Sequence, residues 1–285
     1  MEVKAPAKIN LFLQVVGRRP DGYHELRSLM CCIGLYDTLA LTMGAVRDEI
    51  TCDSPDVPCD ATNLALRAAL LFNRTLAGTT SLSPLHVSIH LTKRIPVGAG
   101  LGGGSSDAAA VLNTLNGYYN RPLSDTLLHA LALELGADVP FFIYARPALA
   151  TGIGERLEPC TVLPPLAVVV VYPGFGISTA RVFKNLNLRL TKCEKHLRYF
   201  PFKYGKFDMA RHMFNDLEPV AIRQYPVIHK IKNELLNQGA RGALMTGSGS
   251  AVFGLFTDLQ QGCKAADAMT KDGQWQVFAT QLLVD

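Results

Sequence analysis

The segment Pro96–Asp107 constrains this chain of 285 residues more than any other stretch. It contains five glycines between Gly98 and Gly104. Because glycine loses the most backbone entropy on folding, so many of them indicate a loop that needs bare backbone. The next residues, Ala108–Leu112, predict a helix, so the loop leads into a helix N-terminus whose N–H groups lack intrahelical acceptors. This combination predicts a cradle for a phosphate group.

Three common phosphate loops fit this segment poorly. The run Gly98–Gly103 formally matches G-x-G-x-x-G, but a dinucleotide site also needs an acidic residue at the end of a second strand, about 20 residues later. Helical sequence follows here instead. A Walker A loop needs Gly-Lys-Ser/Thr, whereas no lysine lies between Lys93 and Lys184. The His-Arg-Asp and Asp-Phe-Gly signatures of protein kinases are absent. A different phosphate loop is therefore required.

Composition indicates a globular protein, with 48% hydrophobic and 18% charged residues. The net charge of +4 is small and no run of five basic residues occurs, so nucleic-acid binding is not expected. Seven cysteines without a C-x-x-C pair or zinc spacing predict reduced thiols in a cytoplasmic protein. We expect no signal or transit peptide and no membrane span, since no apolar run approaches the roughly 20 residues that cross a bilayer.

The order of elements predicts an α+β protein of two domains, 1–155 and 156–285, which meet in the glycine- and proline-rich stretch 150–165. The basic aromatic stretch 189–207 is interpreted as a surface insertion. The other expected elements, in chain order, are strands in 1–52, helix 63–77, strand 85–92, helices 105–116 and 124–135, strand 166–172, helix 178–187, helices in 216–238, a strand pair around 247–249, helix 258–270 and a final strand.

The loop has the pattern Pro-x-Gly-x-Gly-Leu-Gly-x-x-Ser-Ser, and with the blocks 4–11 and 244–253 it resembles the GHMP kinases. This superfamily includes galactokinase, homoserine kinase, mevalonate kinase and phosphomevalonate kinase. The resemblance covers essentially the whole chain. It implies an N-terminal nucleotide domain with a left-handed βαβ crossover, like the second domain of ribosomal protein S5, and a C-terminal ferredoxin-like domain.

The blocks 6–13, 19–26 and 135–142 narrow the resemblance to the GHMP kinases that act on a cytidine diphosphate derivative of a sugar alcohol. This implies phosphorylation of the alcohol's 2-hydroxyl by ATP with Mg²⁺, in the non-mevalonate route to isoprenoid precursors. The alternative within the superfamily is a homoserine or mevalonate kinase, which segment 21–24 disfavours. An amidase-like hydrolase and a non-catalytic nucleotide-binding module are weaker alternatives. The oligomeric state stays open.

The resemblance assigns catalysis to two residues. Asp138 matches the catalytic aspartate, although an Asp-x-Pro sequence also suits a helix N-cap. Lys8 matches the catalytic lysine, which is expected to keep that carboxylate ionised and to stabilise the transferring charge. Asn10 shares a strand face with Lys8 and is expected to bind the substrate's polyol.

The resemblance also assigns the nucleotide and substrate contacts. Ser105 and Ser106 are expected at a helix start, where a hydroxyl caps N–H groups or contacts phosphate or Mg²⁺; the metal ligands are not identified. The expected ATP-binding residues are Asn63, Lys93, Pro96, Val97, Gly98, Ala99, Gly100, Leu101, Gly102, Gly103, Gly104, Ser105 and Ser106. The expected substrate-binding residues, besides Asn10, are Tyr23 and Phe183 for stacking on cytosine, His24 for its edge, Thr179 beside it, and Gly247, Ser248 and Gly249, for which a simple tight turn is the alternative.

Overall fold

The structure is a computed structural model that describes residues 1–161, 163–186, 207–271 and 273–284. The chain divides into two compact units. The first consists of Met1–Ala7, Leu35–Val97 and Gly102–Ala145, and the second of Lys8–Gly34, Gly98–Leu101 and Arg146–Asp285. The boundary after residue 155 stays a prediction. Apart from Phe207, the predicted insertion 189–207 lies outside the described residues.

Helices dominate the first unit: α1 (Leu64–Thr79), α2 (Gly103–Tyr118), α3 (Asp125–Leu135) and α4 (Val139–Tyr144). Its strands are β3 (Glu49–Cys52), β4 (Val87–Thr92) and the end of β2 (His24–Met43). Strand β4 pairs parallel with β3 and antiparallel with β2. Because α1 connects two parallel neighbours, β3-α1-β4 forms a βαβ unit, as expected for the nucleotide domain.

Side-chain caps fix where the helices of the first unit begin. The Asn63 Oδ1 accepts a hydrogen bond from the Ala65 N–H at the start of α1, and the Ser124 Oγ accepts one from the Leu127 N–H at the start of α3. Each satisfies an N–H group that the helix itself leaves without an acceptor. Helix α1 packs against α2 through faces rich in small residues, so the backbones approach closely. The cap positions agree with the predicted helix starts.

The second unit is built from these strands and helices: β1 (Glu2–Arg18) from Lys8 onward, the first part of β2, β5 (Ala148–Gly152), β6 (Arg156–Pro159), β7 (Ala167–Tyr172), α5 (Thr179–Lys184), α6 (Met209–His212), β8 (Phe214–Asn215), α7 (Glu218–Gln224), α8 (Val227–Asn237), β9 (Gly242–Met245), β10 (Val252–Phe256), α9 (Leu259–Thr270) and β11 (Gln276–Leu283).

Four of these strands form an antiparallel sheet in the order β11-β7-β10-β9. In chain order this is fourth-first-third-second, the order of a ferredoxin-like sheet, which confirms the expected C-terminal fold. The central strand β7 is a continuous apolar run, and Val168–Val171 are fully buried. Ile228, Ile231 and Leu235 of α8 belong to the same buried core. No helix in the described part of the chain is long and apolar enough to cross a membrane.

Candidate active site

The glycine loop is shaped by backbone conformations that other residues rarely adopt. Gly98, Gly100 and Gly102 have φ angles of +67°, +80° and +73°. A Cβ on Gly100 would stand well under 3.0 Å from the Thr246 carbonyl oxygen, so this position has no room for a side chain. The loop is tied down by backbone hydrogen bonds, from the Ile177 N–H to Gly98 and from the Ala251 N–H to Ala99, each of 3.1 Å. Glycine is therefore required both by conformation and by space.

Helix α2 begins at Gly103, two residues before the predicted start. Its N-cap is Gly102, which has no side chain to cap the helix, and Ser105 and Ser106 lie inside the first turn. The alternative that a serine hydroxyl caps this helix is therefore wrong, whereas contact of Ser105 or Ser106 with phosphate stays a prediction. The first N–H groups of α2 are left to an external acceptor, and the helix dipole adds partial positive charge there. This is the geometry of an anion site.

Two buried polar atoms in the first two turns of α2 have no hydrogen-bond partner among the residues that the structure describes: Ser106 Oγ and Asp107 Oδ1. Both residues are almost completely buried. Because a buried polar atom without a partner costs free energy, these two oxygens mark a place where a ligand would supply the missing bonds.

Lys93 forms a buried ionic cluster beside the start of α2. Its Nζ lies 2.5 Å from Asp37 Oδ2 and 2.7 Å from Asp107 Oδ2. The other Asp37 oxygen accepts hydrogen bonds from the Arg94 and Ile95 N–H groups. Burial by itself would lower the pKa of Lys93, but the two carboxylates outweigh it and raise that pKa. Burial raises the pKa of Asp107 to about 7 against the attraction of Lys93, and the Asp37 charge adds to the rise.

Two further predicted ATP-binding residues of the first unit, Asn63 and Lys93, form contacts within the protein. The Asn63 side chain caps α1 with its oxygen and donates through Nδ2 to the Pro58 carbonyl. The Lys93 ammonium is held by two carboxylates at the start of α2. A contact of either residue with ATP stays a prediction.

Lys8 and Asn10 lie together on β1, both about 3% exposed. The Lys8 Nζ donates a 2.6 Å hydrogen bond to Asn10 Oδ1, and Asn10 Nδ2 donates to Ser28 Oγ at 2.8 Å. The Asn10 N–H donates to Thr246 Oγ1 at 3.2 Å. The strand spacing predicted the shared face of Lys8 and Asn10. The amide of Asn10 therefore orients the lysine; its contact with a polyol stays a prediction.

Asp138 occupies the N-cap position of α4, immediately before Val139 and Pro140. Its backbone is in the helical region, with φ −84° and ψ −16°, and within this described helix its side chain forms no capping hydrogen bond. A capping residue normally has an extended backbone and accepts from the second or third helical N–H. Helix capping therefore does not explain why a carboxylate is present at this position.

Three aromatic residues predicted to recognise cytosine lie in the second unit. Tyr23 is 59% exposed at the end of the β1–β2 turn, where its N–H donates to Asp21 Oδ1. The rings of His24 and Phe183 are stacked, with centroids 4.8 Å apart and planes inclined by 22°. Burial lowers the pKa of His24, and the positive charge of Arg18 lowers it further. The imidazole is therefore neutral at pH 7, with one donor and one acceptor nitrogen.

The turn between β9 and β10 carries the remaining predicted residues. Gly247 and Gly249 have φ angles of +54° and +85°. A Cβ on Gly247 would lie 3.0 Å from the Gly100 carbonyl oxygen and 3.5 Å from Lys8 Nζ. Ser248 is buried, and its Oγ lies 2.8 Å from Thr179 Oγ1. The turn therefore brings Gly247, the glycine loop and Lys8 together, which a simple tight turn would not require.

Two family models match the chain, the GHMP kinases N terminal domain over residues 63–146 and the GHMP kinases C terminal domain over residues 207–274. The 4-diphosphocytidyl-2-C-methyl-D-erythritol kinase of Syntrophotalea carbinolica is 46% identical to it over 283 residues, 99% of this chain and 98% of that protein. The chain belongs to the 4-diphosphocytidyl-2-C-methyl-D-erythritol kinase family of the GHMP kinases.

Solved structures agree with this membership. A crystal structure of 4-(cytidine 5'-diphospho)-2C-methyl-D-erythritol kinase is 40% identical and matches with a TM-score of 0.82 over 99% of each chain. The homoserine kinase of Cytophaga hutchinsonii matches with a TM-score of 0.76 over 99% of this chain and 95% of its own, at 20% identity. At 20% identity, the match to the homoserine kinase shows only that the two proteins share a fold. The alternative of a homoserine or mevalonate kinase is therefore less supported than the family assignment.

Sequence reasoning missed three polar residues that this family member places around the predicted site. Asp37 binds Lys93 from 56 positions away, Thr246 contacts Asn10, and the Asn215 amide holds the turn that follows β9. Of the three, only Asp37 carried a signal in the sequence. It lies in a strand between the apolar residues Leu35 and Leu39, and a buried carboxylate needs a partner. Thr246 and Asn215 act through contacts between distant segments, which no local pattern encodes.

Proposed function

We propose that this protein transfers the γ-phosphoryl group of ATP to the 2-hydroxyl of 4-diphosphocytidyl-2-C-methyl-D-erythritol, a step in the non-mevalonate route to isoprenoid precursors. The observation that carries the proposal is the uncapped start of α2, in a chain whose full length is 46% identical to a kinase with that substrate in its name. The glycine loop supports a site for the phosphates of ATP, and the names of the relatives indicate which alcohol accepts the phosphoryl group.

The glycine loop and the first turn of α2 bind the triphosphate. The first N–H groups of α2 have no acceptor within the helix. The loop before them needs little reorganisation, because hydrogen bonds from the Ile177 and Ala251 N–H groups already hold it. In phosphoryl transfer most of the catalysis is positioning and charge stabilisation, so a rigid cradle is a major part of the machinery.

Lys8 and Asp138 carry the chemical step in this proposal. Asp138 orients the acceptor hydroxyl and takes its proton as the new P–O bond forms and the bond to ADP breaks. An ordinary aspartate is a weak base, which suits a proton that leaves late. Lys8 stabilises the charge on the transferring group. The hydrogen bond from Lys8 Nζ to Asn10 Oδ1 fixes where that charge stands.

The cytidine end is recognised by rings and by one imidazole edge. Tyr23 is exposed and offers a face for stacking, and Phe183 stacks on His24 and so holds the imidazole in a fixed orientation. A neutral His24 keeps one nitrogen as an acceptor, which can accept a hydrogen bond from the amino group of cytosine.

The residues at the start of α2 fit the Mg²⁺ that ATP brings. Ser106 and Asp107 supply a hydroxyl and a carboxylate oxygen without hydrogen-bond partners in the described structure, and Mg²⁺ prefers such oxygens. Bound there with the nucleotide, the ion would neutralise phosphate charge. No group of three or more metal-binding side chains occurs in the described residues, so the nucleotide phosphates and water would complete the coordination.

The substitution Asp138→Asn tests this proposal. It keeps the shape of the side chain but removes the base, so we expect kcat to fall by roughly 10² to 10⁴ while the Kd for ATP, measured by calorimetry, stays unchanged. The control is Asp125→Asn at the exposed start of α3, which should retain wild-type kcat. A wild-type kcat in the Asp138→Asn enzyme would remove Asp138 from the mechanism.

A further inference from the structure

The short segment Phe214–Glu218 carries three buried polar side chains: Asn215, Asp216 and Glu218 are 3%, 6% and 7% exposed. Phe214 and Asn215 form β8, which pairs parallel with β1, so that Asn215 lies opposite Leu13. Because burial of polar groups is costly unless they are hydrogen-bonded, such a concentration indicates a defined set of contacts.

The Asn215 amide fixes the residues on both sides of Thr246. Its Nδ2 donates to the Met245 carbonyl at 2.7 Å and to the Gly247 carbonyl at 2.9 Å. Its Oδ1 accepts from the Leu217 N–H at 2.9 Å. Both amide hydrogens and the amide oxygen are used, so this buried side chain has one orientation. The carbonyls before and after Thr246 are thereby held in place.

Thr246 connects the carbonyls that Asn215 holds to the predicted catalytic lysine. The Thr246 Oγ1 accepts from the Asn10 N–H at 3.2 Å and donates to the Gly100 carbonyl in the glycine loop at 3.3 Å. Asn10 Oδ1 in turn accepts from Lys8 Nζ. Asn215 is therefore connected to Thr246 through the backbone carbonyls on either side of it. Thr246 is connected by hydrogen bonds to Asn10, and Asn10 to Lys8.

The neighbours of Asn215 anchor the same strands. Asp216 Oδ2 accepts from the Val15 N–H at 2.7 Å, which fixes β1 beyond Lys8 and Asn10. Glu218 Oε2 accepts from the Met245 N–H at 2.8 Å, and its other oxygen pairs with Lys232. One segment thus holds both the strand that carries Lys8 and the strand that leads into the Gly247 turn.

We propose that Asn215 is a positioning residue of the reaction: by clamping the carbonyls that flank Thr246, it sets the position of Asn10 and hence of the Lys8 ammonium. The inference rests on the proposed function, because it needs Lys8 to act on the transferring phosphoryl group. Asn215 acts through other residues in this proposal, because it is buried and its amide groups all bond the protein backbone. A displacement of about 1 Å in a catalytic group lowers a rate by as much as 10²-fold, so the effect is measurable.

The test combines Asn215→Asp with two changes at Thr246. Asn215→Asp keeps the oxygen that accepts from Leu217 but loses both donors, and we expect kcat to fall about 10- to 100-fold with the Kd for ATP within about twofold of wild type. Thr246→Val removes the hydroxyl at nearly constant shape and should lower kcat in the same range. Thr246→Ser keeps the hydroxyl and should retain most of the activity.

The double variant Asn215→Asp/Thr246→Val gives the decisive comparison. When two residues act through one another, the effects of substituting them do not add. The kcat of the double variant should therefore be no lower than that of the less active single variant. The stability control is Asn116→Asp. Asn116 is also a buried asparagine, and its amide donates to and accepts from the backbone of Leu123. It should lose thermal stability as Asn215→Asp does, yet retain kcat.

The outcomes separate this inference from the function on which it rests. A wild-type enzyme that does not turn over 4-diphosphocytidyl-2-C-methyl-D-erythritol overturns both. An active wild type with full kcat in Asn215→Asp or Thr246→Val overturns the positioning role alone. If the decreases in kcat of the two single variants add fully in the double variant, the positioning role is likewise overturned. If Asn215→Asp does not fold, the contrast between Thr246→Val and Thr246→Ser decides whether the Thr246 hydroxyl transmits position.

Discussion

At the scale of single residues, His24 illustrates how surroundings select a protonation state. The ring is stacked on Phe183 and partly buried, and Arg18 lies near enough for its charge to act. Both effects disfavour the imidazolium, and both lower the pKa of His24 from its ordinary 6.5. A protonated imidazole would offer two donors and no acceptor, and could therefore no longer accept a hydrogen bond from the amino group of cytosine.

We predict that the KM for the cytidyl substrate rises as the pH falls through the lowered pKa of His24, by about tenfold for each pH unit below it. The variant Arg18→Gln removes the neighbouring positive charge, raises the pKa of His24 and should shift the rise to higher pH. Steady-state kinetics between pH 5 and 8 measures both curves, with the KM for ATP as the internal control. Superimposable wild-type and Arg18→Gln curves would exclude His24 as the titrating group.

At the scale of elements, the glycine loop depends on its contact with the turn between β9 and β10. We predict that Gly100→Ala abolishes measurable ATP binding and destabilises the fold. The positive φ alone costs about 1–2 kcal/mol with a Cβ, and the clash with the Thr246 carbonyl adds to it. Calorimetric titration with ATP and thermal unfolding give the two readouts.

Gly117→Ala in helix α2 is the matched control for Gly100→Ala. Nothing lies within 4 Å of a Cβ at Gly117, and alanine is preferred to glycine in a helix by about 1 kcal/mol. This control should bind ATP normally and have a slightly higher melting temperature than wild type. Normal ATP binding by Gly100→Ala would contradict the account of the loop.

The contact of β8 with β1 gives a pH dependence of stability. Burial raises the pKa of Asp216 to about 6, against the hydrogen bond from the Val15 N–H. The folded state therefore holds this proton more tightly than the unfolded chain, so the contribution of Asp216 to stability is full below about pH 4 and is lost as the pH rises to about 6.

We predict that Asp216→Asn, which keeps an oxygen for Val15, becomes more stable relative to wild type as the pH increases from 4 to 7. The melting temperatures of the two proteins should diverge by about 2–4 °C for each 1 kcal/mol of difference in the free energy of unfolding. The exposed substitution Asp56→Asn should change little across this range. A constant difference between Asp216→Asn and wild type would show that Asp216 does not titrate in this interval.

Local features of these elements were predictable from the sequence, whereas long-range partners were not. The starts of α1 and α3 and the apolar strand β7 depend on neighbours within a few positions, and their predictions hold. The start of α2 was misplaced because a serine is the usual cap, while the structure uses Gly102. Asp37 and Asn215 reach their partners across 56 and 30 positions, and only the fold brings them there.

At the scale of the whole molecule, the family resemblance supplied what periodicity could not. Alternation and apolar runs predict an α+β protein. The ferredoxin-like strand order of β11, β7, β10 and β9 depends on pairing between distant segments, because β7 pairs with β10 and with β11 across 81 to 114 positions. The motifs identified Lys8, Asp138 and the loop because these blocks of the sequence resemble those of the GHMP kinases. Asp37, one of the two ionic partners of Lys93, and Asn215, which holds the carbonyls beside Thr246, lie outside the motifs.

The most direct test of the central claim is Mg²⁺-dependent release of ADP by the purified protein, with 4-diphosphocytidyl-2-C-methyl-D-erythritol, homoserine and mevalonate offered separately. The Asp138→Asn variant provides the background from acceptor-independent ATP hydrolysis. We predict stoichiometric ADP release and a phosphorylated product with the cytidyl acceptor alone. Release with homoserine or mevalonate but not with the cytidyl acceptor would contradict the proposed substrate, and release with none of the three would contradict the proposed kinase activity.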